Sequence, residues 1–309
     1  MKGFVQMSFL HSLFFLYVLS AFSCVSKVEG RFDVLDNADR IKLVSIKKIY
    51  STLSNSCSYQ NKSQSGQGMA IQGDRMYRLF NSGICKIYSI SDPNDPLLIS
   101  TLEMGSYGKD NHCNCAQFDI REDGSVFLYI SSVRELNGLR GKCYVEKITG
   151  TSFKLVQTIT VGEISFLSNY KGFNIICGDD GYLWLFGFDI SGDNMVFVKA
   201  LKPSVLLPNV ELGEDDVVDY WFDSDYTYNE SVTQGGTVHG GYLYSVFGTK
   251  STNRHIAIYD INRHHKVGDI NLNEFVKEEP EDCDFYGNDL ILAIYGDAGY
   301  YALSLDFDE

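Results

Sequence analysis

From residue 41 onward, apolar and polar positions alternate in short runs closed by glycine, asparagine or aspartate. A period of two sends successive side chains to opposite faces, so these runs predict half-buried β-strands. Residues 271–279 alone predict a helix, and a short one. The runs recur in a fixed order: a polar or glycine-rich entry, a strand, a turn, a second strand ending in aromatics, then a charged loop and a third strand. Copies open at Gln67, His112, Ile164, Gln234 and Glu279, at spacings of 45, 52, 70 and 45 residues. These are β-propeller blade periods with one long insertion. The fifth copy reaches residue 309 one strand short of a blade, and the unused run at residues 41–50 can supply it. The chain therefore predicts an all-β, five-bladed β-propeller over residues 41–309, closed by its N-terminal strand pairing with the last blade. Six blades is the rival reading, and it requires the 70-residue interval to hide another sheet. That interval holds residues 203–233, where Glu214, Asp215, Asp216, Asp219, Asp223 and Asp225 surround Trp221 and predict an exposed acidic insertion.

The N-terminus follows a different rule. Lys2 precedes an apolar stretch from Phe9 to Phe22, and Ala21-Phe22-Ser23 lead into Cys24. This reads as an export signal over residues 1–24 with Cys24 as a lipid acceptor at the cut, followed by a short tether over residues 25–40. Plain secretion and an uncleaved anchor are the alternatives. No later apolar run reaches the length of a span, so membrane contact is expected through the lipid anchor only, at a bacterial envelope and as an outer-membrane lipoprotein. The formal charge of −14, from 26 Lys plus Arg against 40 Asp plus Glu, argues against nucleic acid as a partner. Of eight cysteines, seven remain after Cys24, an odd number that leaves at least one free thiol. Cys85 and Cys177 lie in apolar strand patterns and read as core residues. Cys113-Asn114-Cys115 has no second pair at zinc spacing.

Ser65-Gly66-Gln67-Gly68, Ser91-Asp92-Pro93-Asn94-Asp95-Pro96, His112-Cys113-Asn114, Gln234-Gly235-Gly236 and Glu279-Pro280-Glu281 occur in an order that resembles a group of exported propeller lipoproteins of Bacteroides-type bacteria. More distantly, the Gln-Gly entries resemble propellers of phage tail and bacteriocin proteins. The chain departs from the group at Cys113, where the group has alanine, and at Asp282, where it has glycine. The resemblance implies binding at a cell surface and supplies no reaction.

In a propeller the first strand of each blade lines the central channel, so entry residues converge near one mouth. Those entries supply Gln67, His112, Asn114, Gln234 and Glu281, with His239 as a further candidate. Amides, an imidazole and a carboxylate suit a glycan ligand or a hard cation, or they bond to neighbouring backbone and lock blade to blade. Tyr220, Trp221 and Tyr226 give the insertion aromatic faces for a sugar or a peptide. The leading functional expectation is a binding module for a glycan or an envelope protein. The alternative is a glycan-processing enzyme at the channel mouth. Neither a Gly-x-Ser-x-Gly elbow nor a His-Glu-x-x-His run occurs. No cofactor is expected. Calcium at the acidic loop is the rival, because Asp123-Gly124 and Asp179-Asp180-Gly181 read as hairpin turns and His264-His265 as an exposed pair.

Overall fold

A computed structural model describes residues 40–49, 56–60, 62–92, 95–133, 141–168, 170–189, 194–224, 232–295 and 299–307. Its strands are β1 (Ile41–Ile49), β2 (Ser56–Tyr59), β3 (Lys62–Gln72), β4 (Arg75–Phe80), β5 (Ile84–Ser89), β6 (Leu97–Glu103), β7 (Cys115–Ile120), β8 (Val126–Ser132), β9 (Lys142–Thr149), β10 (Ser152–Val161) and β11 (Tyr170–Cys177). Then follow β12 (Leu183–Asp189), β13 (Met195–Ala200), β14 (Asn209–Leu212), β15 (Val217–Asp223), β16 (Thr233–His239), β17 (Tyr242–Phe247), β18 (His255–Asp260), β19 (His265–Asn271), β20 (Pro280–Tyr286), β21 (Asp289–Ile294) and β22 (Tyr300–Phe307). They form five sheets arranged as a ring, antiparallel throughout except where β14 joins β10. Blade 1 is β2 to β6, blade 2 is β7 to β10 with β14, and blade 3 is β11, β12, β13 and β15. Blade 4 is β16 to β19, and blade 5 is β20, β21, β22 and β1. The five-bladed propeller is thus the fold, and β1 closes it antiparallel to β22, from Ile41 against Phe307 to Ile49 against Tyr300.

Two expectations are corrected. The acidic insertion is not a free loop: Asn209–Leu212 pair in parallel with β10 at the edge of blade 2, and Val217–Asp223 form the outer strand of blade 3. Acidic side chains are tolerated there because an outer strand keeps one face in water. In place of the expected helix over 271–279, Asn271 ends β19 and a turn at 273–275 follows, with Phe275 and Val276 N–H donating to Leu272 O, before β20 begins at Pro280. All seven described cysteines are free and buried, Cys85 and Cys177 among them.

Each interface between neighbouring blades is filled by its own apolar cluster. Tyr77, Leu79, Leu128 and Ile130 meet between blades 1 and 2; Trp184, Phe197, Leu243 and Tyr259 meet between blades 3 and 4. The closing interface between blades 5 and 1 is thinner, built on Met69, Met76, Ile291 and Tyr300. In each blade β1, β6, β10, β15 or β19 carries one extra residue relative to the strand inside it, Val44, Ile99, Val156, Val218 or Val267, and in blade 2 β14 pairs with β10 only beyond that residue, from Thr158. Such bulges twist an edge out of register with any added strand.

The axis is plugged by polar side chains. Asp282 is fully buried, and its Oδ2 accepts Met69 N–H at 2.8 Å from blade 1 and Ala116 N–H at 3.2 Å from blade 2. Its Oδ1 accepts Gly236 N–H at 2.8 Å from blade 4 and its own strand's Cys283 N–H at 2.9 Å. Gly235 is required beside it, since a Cβ there would lie 2.5 Å from Asp282 Oδ1. Asn174 of blade 3 donates Nδ2 to Gln234 O at 2.9 Å, and Gln117 pairs with both the N–H and C=O of Val238. Apart from Lys62–Ser65 of β3, which pair with β2, the inner strands have one partner within their own sheet, and these side chains serve N–H groups on the other edge.

Asp282→Ala would leave three cross-blade N–H groups buried without acceptors, at about 1–3 kcal/mol each. The expected result in urea is a large fall in midpoint or loss of cooperative folding. Asp282→Asn, which keeps one accepting oxygen, is expected to fall between that variant and the parent; an Asp282→Ala chain as stable as the parent would contradict the hub role.

Candidate functional site

The inner strands β3, β11, β16 and β20 each gain one residue over their partners near the N-terminal end: at Gln67 and Gly68, at Gly172 and Phe173, at Gln234 and Gly235, and at Glu281. A bulge re-aims the side chain it displaces. Repeated around the ring, it gives the N-terminal mouth of the channel its polar lining.

Two hydrogen-bonded networks join the entry residues across blades. In the first, Gln67 Nε2 donates to Ser65 Oγ at 3.4 Å, Asn81 Nδ2 donates to the same hydroxyl, and His112 Nδ1 bonds to Asn81 Oδ1. Asn114 stands beside it, its Oδ1 accepting Val133 N–H at 2.6 Å. In the second, Gln234 Nε2 donates to Glu279 Oε1 at 2.6 Å and to Gly248 O at 3.0 Å. Arg78 lies between the two. Its guanidinium is buried and donates to the carbonyls of Gln67, Gly68 and, across the closing interface, Ile294.

Glu281 is the exception. It is 3% exposed, and among the described residues its carboxyl receives no hydrogen bond. Burial pushes its pKa well above the ordinary carboxylate range, the neighbouring charge of Glu279 adds to that push, and Arg78 opposes it. Glu279 is also raised by burial, but the Gln234 amide pulls it back toward the ionised form. Two carboxyls two residues apart thus stand in unlike surroundings: one has a donor, the other has an anionic neighbour.

The remaining sequence candidates do not join the mouth. Trp221 is buried, stacked on Phe197 at 4.9 Å and on His264 at 4.8 Å, so it offers no face to a sugar and serves the core of blades 3 and 4. Tyr220 is half-buried and stacks on Phe166 at 3.8 Å. Tyr226 and Cys24 lie outside the described residues. His239 sits at the opposite end of the channel, paired with Asp179 at 3.3 Å. His264 pairs with Asp219 at 2.6 Å. Asp123 and Asp180 accept turn N–H groups from Ser125 and Tyr182, and among the described residues no cluster of His, Cys, Asp or Glu has metal-binding geometry. Sequence reasoning missed Arg78, Asn81, Asn174 and Asp282 as channel residues. A charged or amide side chain inside an apolar run was the available signal for Arg78 and Asn174; Asn81 sits in the turn after β4, and Asp282 lies among other acids of β20.

No family model matches this sequence, and no curated protein does. Among solved structures, an exo-β-1,3-galactanase from Phanerochaete chrysosporium with galactose superposes with a TM-score of 0.50 at 9% identity, over 77% of this chain and 59% of the galactanase. A GH43 endo-arabinanase from Bacillus licheniformis gives 0.47 at 14% identity over 78% and 92% of the two chains. A tail fiber of a Staphylococcus aureus phage gives 0.47 at 14% identity over 95% and 56%. The chain therefore spans about three fifths of the galactanase, with which it shares the propeller fold.

Asp284, lower in the channel, accepts Ile71 N–H at 2.6 Å, and burial pushes its pKa to about 7. Its folded-state pKa exceeds the unfolded value, so the unfolded chain gives up this proton first as pH rises. Its contribution to stability is full below about pH 4 and is lost as pH climbs through 7. Between pH 5 and 8, Asp284→Asn is expected to flatten part of the decline in thermal midpoint; a steeper decline in the variant would reverse the sign of this linkage.

Proposed function

We propose that the protein is a glycan-processing propeller acting at the N-terminal mouth of its channel. Glu281 is the proton donor and Glu279 its ionised partner. The observation that carries this reading is the pair itself, one carboxyl buried without a donor among the described residues and pushed by burial toward its neutral form, the other hydrogen-bonded to Gln234, at a strand bulged at Glu281. In the hydrolysis this arrangement suits, the Glu281 proton passes to the leaving glycosidic oxygen as the C–O bond breaks. Water adds to the sugar carbon and gives its proton to Glu279. Gln234 keeps Glu279 oriented throughout. The galactanase bears on the choice of substrates to try first: galactose and β-1,3-galactotriose are the sugars bound in its solved structures.

A second reading is a binding module without turnover, supported by the 3% exposure of Glu281, which leaves its carboxyl little surface to offer a glycosidic oxygen. The internal bonds of Gln67, Asn114 and Gln234 assign those three to holding the protein's own segments together. In either case the chain is proposed to work outside the cytoplasm, held by a lipid at Cys24. The apolar run ahead of that cysteine and the resemblance to envelope lipoproteins support this, and labelling with radioactive palmitate, lost in Cys24→Ser, would test it.

Turnover and binding should be measured side by side on β-1,3-galactan, arabinan and a wider glycan panel. Loss of the proton donor in Glu281→Gln is expected to cost about 10²–10⁴-fold in kcat with binding retained. Binding without any turnover by the parent would establish the second reading. The absence of both would discard the mouth as a glycan site.

A further inference from the structure

The opposite end of the molecule holds a separate cleft of about 440 Å³ between blades 4 and 5. Tyr242 and Tyr244 of β17, Phe285 of β20 and Phe307 of β22 line it, with His239 at its rim. The rings brace one another: Phe285 meets Tyr244 edge-on at 5.0 Å and His239 at 4.5 Å, and Tyr242 lies 5.9 Å from Phe307. Phe307 remains 43% exposed. None of the residues lining the cleft is Lys or Arg, and the Asp179 carboxylate stands beyond His239.

Propeller geometry alone does not produce such a lining. The corresponding cleft between blades 1 and 2 has nearly the same volume, about 420 Å³, yet Tyr77 is its one ring, and Asp74 and Arg75 share the wall.

We propose that the aromatic cleft binds an organic cation, specifically an alkylated ammonium group. Ring faces carry negative electrostatic potential and attract a cation that sheds its water easily, which methyl groups on nitrogen allow. A bare ammonium or a metal ion needs several converging oxygen acceptors, whereas this lining is mostly ring and apolar surface, with the Tyr242 and Tyr244 hydroxyls and the Asn288 amide as its side-chain oxygens. The formal charge of −14 draws cations toward the surface as a whole, and the carboxylate behind His239 adds to that pull at this spot. The site is independent of the channel mouth, so its fate does not depend on glycan chemistry there.

The test compares choline with 3,3-dimethylbutan-1-ol, its uncharged counterpart of equal shape, by calorimetry and saturation-transfer NMR on the full chain. Choline is expected to bind at least about fivefold tighter, and Phe307→Leu to weaken it by a similar factor at unchanged thermal midpoint. Tyr77→Leu, in the other cleft, should leave binding intact. Equal affinity for the two compounds, no binding of choline, or indifference to Phe307→Leu would each overturn the proposal.

Discussion

The inner strands of this ring present backbone N–H groups to an axis from which bulk water is excluded, and each needs an acceptor. A strand inside a sheet finds acceptors on both sides, whereas the first strand of a blade has a partner on one side only. Asp282 resolves the problem for three other blades at once, with Asp284, Asn174 and Gln117 acting at neighbouring levels. Burial opposes the charge of Asp282 and pushes its pKa upward, while its N–H donors favour the ionised form. Most polar groups along the axis are committed in this way. Glu281 stands out because it is not.

The same economy of groups explains Arg78. The closing interface has the thinnest apolar filling of the five, and there a buried guanidinium reaches from β4 to the carbonyl of Ile294 while binding two carbonyls of its own blade. Breaking one partner of such a buried, charge-assisted set costs more than losing a surface pair. The neighbourhood of Glu281 therefore rests on a structural cation. Arg78 tempers the rise in the Glu281 pKa without donating to its carboxyl, so fold and proposed chemistry are coupled at one residue.

Strand order, blade number and closure by residues 41–49 were legible because strand-length runs bounded by turn residues recur at blade spacing. They do so even where strands such as Arg75–Phe80, Val126–Ser132 and His255–Asp260 are buried on both faces and show no alternation. Where the reading failed, the cause is local. Val218 is a bulge residue in β15, so the alternation of Val217–Asp223 slips by one within a strand already dense in acids, and the run looked like a loop. Trp221 among those acids resembled a sugar platform, but its stacking partners Phe197 and His264 come from distant parts of the chain and cannot be read from its own surroundings. Topology brings His112 to Asn81 beside Gln67, and Gln234 to Glu279, as two separate networks. Which of these residues would be consumed by backbone was not legible, because that depends on bulges that leave no mark on composition.

Closure by β1 and β22 carries a consequence for biogenesis. The two strands stand at opposite ends of the folded domain's sequence, so the loop their pairing closes spans nearly all of it. Such pairing comes late and slowly, since the entropy of joining the ends must be met before the contacts form. Until Phe307 has emerged, Ile41 has no partner and blade 5 lacks its edge. A nascent chain in that condition stays open, and the ring locks only once its final strand is free to pair.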